Sequence, residues 1–187
     1  GRTEMKYLRR QLQDYEAVCE QEERDREIML AFLRDHPDCL SRENSIAHFT
    51  ASSWIVNEDR DKVLMVYHNI YRSWSWTGGH ADGEADLLQV ALREAAEETG
   101  IAALQPLQKE PVSLEILTVD GHEKGGNYVP SHLHLNVTFL LAGDEKLPLR
   151  EKPDENSAVR WIPSKQIFSL VSEPWMAERV YSKLLKL

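Results

Sequence analysis

Three glutamates, Glu94, Glu97 and Glu98, stand at i, i+3 and i+4 in a stretch whose apolar spacing predicts a helix. At about 100° per residue they fall within one arc of roughly 100°. Like charges at these spacings cost a few tenths of a kcal/mol per pair on an isolated helix. They also lie in the last turns, where the macrodipole disfavours anions. A solvated acidic face is one reading of the set. A divalent-cation site is the other, because a bound cation reverses both penalties. Oxygen-only ligands suit hard Mg²⁺ or Mn²⁺ better than zinc. Such a cation can offset charge on a transferred phosphoryl group and make water nucleophilic at neutral pH.

Other side chains with chemistry in them are more scattered. His132, His134 and Asn136 alternate along an expected strand, so they share one face. An H-x-H pair can bind a transition metal, but the sequence offers no evident third ligand. Hydrogen bonding inside the fold and contacts to a phosphate or base are the other readings. Trp74 and Trp76 also alternate, which predicts one toward a cleft and one toward the core. A tryptophan in the cleft can stack on a base for about 1–3 kcal/mol. Arg72 and Lys124 are nearby cations able to meet a phosphate.

Positioning these groups requires a mixed set of elements. The helix is expected over Asp86–Thr99, closed by Gly100, with Leu88, Ala91, Leu92, Ala95, Ala96 and Thr99 forming a narrow apolar stripe. Small residues there let the backbone lie close to a sheet. Ala47–Val56 and Lys62–His68 flank the polar turn Asn57–Asp61 and read as a hairpin. Val112–Asp120 and His132–Ala142 read as strands joined by a flexible HEKGGNYVPS loop, with a further strand at Ser157–Ile162 and a helix over about Glu173–Lys186. Before Ser45 the stripe Met5, Leu8, Leu12, Tyr15, Cys19 and the stretch Glu22–Arg34 predict two helices. That stripe suits packing on the following domain or a short coiled-coil dimer. The order of elements predicts an α+β sandwich, not a repeating βαβ array.

The segment Gly78–Ile101, GGHADGEADLLQVALREAAEETGI, resembles the Nudix box G-x5-E-x7-R-E-U-x-E-E-x-G-U, U being bulky and apolar. Gly79, Arg93-Glu94, Glu97-Glu98 and Gly100-Ile101 fill seven of the nine specified positions. Ala85 stands where the box has its first glutamate, with Glu84 one residue early, and Ala95 is smaller than the usual U residue. The first glutamate of the family is usually a structural partner of the box arginine, so Glu84 is expected to reach Arg93 from a rearranged loop. The resemblance implies a Nudix-type α/β/α sandwich over residues 45–187, preceded by a helical extension over 1–44. It implies Mg²⁺ or Mn²⁺ bound by Glu94, Glu97, Glu98 and the Gly79 carbonyl, and hydrolysis of a diphosphate in a nucleoside diphosphate derivative. Arg93 and the three glutamates are the expected catalytic set, with Glu98 the leading base and Glu155 and Glu123 the candidates outside the box. His80, next to the box glycine, joins Arg72, Trp76, His132, His134 and Glu155 as candidate substrate contacts. Leu117 stands where many ADP-ribose hydrolases of the family carry proline, so no particular substrate is implied. A Nudix-fold module that binds a nucleotide without turnover is the rival reading. A related isomerase of allylic diphosphates needs a cysteine by the pocket, which neither Cys19 nor Cys39 is expected to supply.

Composition narrows the partners. The 187 residues suit one domain with an appendage, and 42% apolar residues suffice for a core. No apolar run approaches the roughly 18–20 residues of a membrane span. The start, GRTEMKYLRR, is followed by no apolar run of the secretory kind, and two cysteines make no disulfide framework, so a cytoplasmic protein with reduced thiols is expected. With 22 basic against 31 acidic residues, net charge -9, and no basic cluster, nucleic-acid binding is disfavoured. The same charge repels a polyphosphate unless cations intervene, which is what the glutamate site would supply. A small nucleotide-type substrate and a possible homodimer are the expected partners.

Overall fold

The structure is a computed structural model that describes residues 2–187. Two helices open it, α1 (Arg2–Asp14) and α2 (Glu20–Asp35). Strands β1 (Ala47–Val56), β2 (Lys62–His68), β3 (Ser73–Ser75) and β4 (Thr77–His80) lead into helix α3 (Leu87–Thr99). After it come β5 (Gln105–Pro106), β6 (Ser113–Val119), β7 (His122–Lys124), β8 (Asn127–Val129), β9 (His132–Ala142) and β10 (Asn156–Pro163). The chain closes with a 3₁₀ turn (Ser164–Gln166), α4 (Ile167–Leu170) and a helical run of α5 (Pro174–Met176), a π-wound segment (Ala177–Tyr181) and α6 (Ser182–Leu184). No helix among the described residues is long and apolar enough to cross a membrane.

The main sheet is mixed and runs β10-β2-β1-β9-β5, with β3 added on β2, β4 on β1 and β6 on β9. Its centre is the parallel pair β1–β9, in register from Ala47 opposite Leu133 to Val56 opposite Ala142. The expected β1–β2 hairpin exists only at its turn, where Val56 faces Val63. Beyond the turn β2 leaves to pair with β10 and β3. This frees the other edge of β1 for β4, which aligns Gly79 with Ala51 and His80 with Thr50. The stretch read as a flexible loop instead holds the small β7–β8 hairpin, turned at Gly125 and Gly126 with φ of 58° and 83°. Two successive positive φ angles at a two-residue turn are what glycine allows and other residues resist.

The N-terminal helices belong to the same core as the sheet. Leu8, Leu12, Met29, Leu33 and Cys39 are buried together with Phe49, Leu87, Val90, Leu135 and Phe139. The apolar stripe of α1 is therefore spent on the chain's own domain, which settles the packing alternative against the coiled coil for Leu8 and Leu12. A polar pin reinforces the junction: the buried Glu22 carboxylate accepts from Val18 and Leu114 N–H and from Tyr15 Oη, and meets Lys183 Nζ at 2.8 Å. Lys183 also stands 3.8 Å from Glu115, itself fully buried on β6. One lysine on the C-terminal helical run thus faces two buried carboxylates.

Candidate active site

Helix α3 begins at Asp86, whose carboxylate accepts from Gln89 N–H, and ends at Gly100, in the left-handed region at φ 82° with its N–H on the Ala96 carbonyl. The buried residues of α3 are Leu87, Val90, Ala91, Ala95, Glu98 and Thr99. The predicted stripe is therefore rotated: Leu88, Leu92 and Ala96 are only partly buried, and Glu98 turns inward against the sheet. Ser53 on β1 donates to the Ala91 carbonyl at 3.1 Å, tying the helix to the sheet at its small-residue face.

The glycine pair of β4 makes room for the glutamates. A β-carbon at Gly79 would stand 2.3 Å from Glu94 Cδ, so the Glu94 side chain lies directly across this residue. Gly78 N–H donates to Glu98 Oε2 at 3.0 Å. Asn156 Nδ2 donates to the Glu98 carbonyl at 3.1 Å and brings the start of β10 to the end of α3. Glu155, one residue before, reaches the same place and raises the Glu98 carboxyl further. Burial is the largest cause of that rise, which carries Glu98 well above the usual carboxylate range. Glu94 is also raised, by burial first and Glu97 second. Lys152 answers part of this charge, 3.1 Å from Glu155 and 3.6 Å from Glu97. Glu94, Glu97 and Glu98 of α3 and Glu155 from the loop before β10 thus lie close enough to repel one another, with Arg93 and Lys152 paired among them.

Arg93 pairs with Glu94, Nη2 to Oε1 at 3.5 Å, and not with Glu84. The expected Glu84–Arg93 pair is absent because Glu84 turns the other way and accepts from Asp86 N–H at 2.8 Å, at the start of the helix. Arg93 and Glu94 line one side of an open cleft of about 580 Å³, bounded on the other by Ala81, Asp82, Gly83 and Glu84. Arg42 holds Asp82 at this rim through two hydrogen bonds of 2.9 and 2.8 Å.

The remaining candidates divide. His80 lies next to Gly79 on β4 and comes within 5.0 Å of His134, ring centroid to centroid. His132 and His134 do share a face, their Nε2 atoms 3.1 Å apart. Burial lowers the pKa of His80 to about 3 and of His134 to about 2. Asn136 is spent on hydrogen bonds with Thr50, Ser52 and Glu115. Trp76 is in the second core cluster, packed edge-on against Tyr181, so it does not face a cleft. Trp74 is the more exposed of the two and carries Arg160 over its ring. Arg72 is exposed in the turn between β2 and β3. Glu123 is exposed on the β7–β8 hairpin. The sequence reading did not single out His48, which is buried on β1 beside the other three histidines.

No curated protein matches the chain. Among solved structures it is similar to the E. coli dihydroneopterin triphosphate pyrophosphohydrolase at 18% identity, covering 74% of this chain and 94% of that one with a TM-score of 0.54. It is similar at 18% identity to RenU, a Nudix hydrolase from M. smegmatis, covering 74% of this chain and 84% of that one at a TM-score of 0.53. A C. elegans Ap4A hydrolase in a binary complex is 17% identical over 73% of this chain and 93% of that one, TM-score 0.50. These likenesses are of fold. The mixed sheet with its flanking helices matches the Nudix α/β/α sandwich. The family model described as NUDIX domain matches residues 47–185. The chain belongs to the NUDIX domain family.

Proposed function

We propose that this chain is a cytoplasmic, divalent-metal-dependent hydrolase that cleaves the diphosphate linkage of a nucleoside diphosphate derivative. The observation that carries the reading is the convergence of Glu94, Glu97, Glu98 and Glu155 beside Gly79, with Glu94 and Glu98 raised by burial and mutual repulsion. Neighbouring carboxylate oxygens are the donor type a hard dication takes. Glu94, Glu97, Glu98 and the Gly79 carbonyl would hold Mg²⁺ or Mn²⁺. When bound, the cation supplies positive charge at the phosphoryl oxygens and lowers the pKa of water.

The chain's own groups do the rest. Gly78 N–H fixes Glu98 Oε2, and the Glu98 carboxylate would take the proton of the attacking water. Glu155, beside Glu98, is the second candidate for that proton. Arg93 lines the cleft and faces a substrate phosphate from there, its charge only partly engaged by Glu94 at 3.5 Å. Lys152 keeps Glu97 and Glu155 apart from one another's full repulsion. The isomerase reading loses support, because Cys39 is buried in the core and its thiol is pushed up to about 11 by burial.

A panel of nucleoside di- and triphosphates, nucleotide sugars, ADP-ribose and dinucleotides, scored for products with Mg²⁺ and with Mn²⁺, tests the reading. Cation-dependent release of a nucleoside monophosphate or pyrophosphate is expected from at least one member. A compound that binds while every member stays intact would favour the binding-module alternative.

A further inference from the structure

Four imidazoles gather on one face of three adjacent strands, apart from the glutamates. His48 and His134 are direct neighbours in the β1–β9 register, and His80 on β4 lies opposite Thr50, two residues along from His48. The ring centroids of His48 stand 5.4 Å from His80, 5.1 Å from His134 and 4.9 Å from His132. One ring nitrogen each of His48, His80 and His134 lies within 4.8 Å of the others.

The hydrogen bonds fix which nitrogens are available. His48 Nδ1 is 3.0 Å from the Asn44 carbonyl and His132 Nδ1 is 2.8 Å from the Pro130 carbonyl. A carbonyl only accepts, so both Nδ1 atoms carry the proton and both Nε2 atoms present a lone pair. Carbonyl-oriented imidazoles with a free Nε2 are the usual support of a histidine metal ligand. His48 is 3% exposed, yet its Nε2 has no hydrogen-bond partner. A buried lone pair left unmatched costs stability and calls for an acceptor of electrons. His132 Nε2 and His134 Nε2 are 3.1 Å apart. That is close to the separation of about 3.3 Å between ligand nitrogens of a tetrahedral zinc with bonds of about 2.0–2.1 Å.

We propose that His48, His80 and His134, with His132 beside His134 at the edge of the group, form a binding site for a borderline transition-metal dication, Zn²⁺ by preference. Imidazole donors select zinc, cobalt and nickel over magnesium, so this site is chemically distinct from the all-oxygen glutamate set. Modest side-chain rotations bring the three nitrogens from within 4.8 Å to coordinating distance. Binding displaces any proton on His134 Nε2 to solvent and changes no oxidation state.

The test uses the full chain, stripped with chelator and then dialysed against Zn²⁺ in the presence of millimolar Mg²⁺. One equivalent of zinc should be retained by the wild-type protein. Co²⁺ in its place should give the intense visible absorption of a four-coordinate site. His134→Gln and His48→Gln should each lower Zn²⁺ affinity at least tenfold, with far-UV circular dichroism confirming that the variants are folded. Should either variant fail to fold, His132→Gln at the exposed edge serves in its place, with a smaller loss of affinity and a changed cobalt spectrum. Failure to retain zinc above background would overturn the proposal. So would zinc lost in Glu98→Gln but kept in the histidine variants, because the ion would then sit among the glutamates. Neither outcome bears on Mg²⁺-dependent turnover, which is read separately.

Discussion

The side chain of Glu94 occupies the space a β-carbon would take at Gly79, with Glu94 Cδ 2.3 Å from that position. The glycine is therefore needed for the placement of a carboxylate. Gly79→Ala is expected to push Glu94 aside, because a glutamate tail can rotate more cheaply than β4 can move. Overpacking of this kind costs about 1–3 kcal/mol, toward the lower end when a flexible side chain gives way. Turnover on an identified substrate should fall by about tenfold or more. Urea unfolding and turnover measured together check this; a variant with unchanged turnover would show that Glu94 need not lie over residue 79.

Glu98→Gln is expected to stabilise the cation-free protein. The carboxyl is raised by burial and by Glu155, while a Gln side-chain oxygen can still accept from Gly78 N–H. A gain of up to about 0.5–1 kcal/mol at neutral pH follows from removing one buried, repelled charge. Saturating Mg²⁺ should reverse the order, since a ligand stabilises the state that binds it and the variant binds it more weakly. Melting curves with and without Mg²⁺ check both halves.

The same shift gives a pH signature. Because the folded pKa of Glu98 lies above its unfolded value, the folded state holds the proton more tightly, and stability falls as pH rises from about 4.5 toward the folded pKa. Below about 4.5 the group is protonated in both states and contributes nothing. The difference in stability, wild type minus Glu98→Gln, should therefore decline as pH rises from 4 to 7 in chelator. In saturating Mg²⁺ the decline should be smaller or inverted. A difference that is flat across this range would place Glu98 in a solvated setting.

Much of this arrangement was legible in the sequence, for reasons that are local. Strands Ala47–Val56, Lys62–His68 and His132–Ala142 coincide with their expected bounds, since β-branched and aromatic runs between polar turns leave little choice. Helix α3 follows from Asp86 and Gly100 at its ends. The parallel β1–β9 pairing was not legible, because no turn links the two strands and register rests on distant contacts. The inward turn of Glu98 was hidden by its charge: apolar periodicity alone gives the carboxylate to solvent. Glu155 was singled out, but its approach to Glu98 depends on Asn156 bonding the end of α3. A role for His48 is not legible from its own strand, because its partners come from two other strands. The box pattern pairs Glu84 with Arg93, whereas a one-residue shift lets Glu84 accept from the nearer Asp86 N–H.

Lys183→Met should be strongly destabilising. Lys183 lies 2.8 Å from Glu22 and 3.8 Å from Glu115, both fully buried. Removing the cation leaves two buried carboxylates uncompensated, and breaking a buried pair costs about 3–5 kcal/mol. Combining it with Glu115→Gln should recover part of the loss. Denaturant titrations of the single and double variants check this; a loss below about 1 kcal/mol in Lys183→Met would mean that the pin joining α2 to the C-terminal helical run is solvated.

In the proposed function the glutamates beside Gly79 assemble a cation-dependent hydrolytic site. Its most direct test is turnover as a function of Mg²⁺ concentration in wild type, Glu98→Gln and Glu155→Gln, on whichever compound the panel identifies. Wild-type turnover should rise from near zero to saturation with added Mg²⁺. Glu98→Gln should lose at least about a hundredfold at saturation, as expected of a residue that both binds the cation and takes the proton. Glu155→Gln should lose less than Glu98→Gln if Glu98 is the base, and as much or more if Glu155 is. Turnover in Glu98→Gln equal to wild type at every Mg²⁺ concentration would contradict the claim.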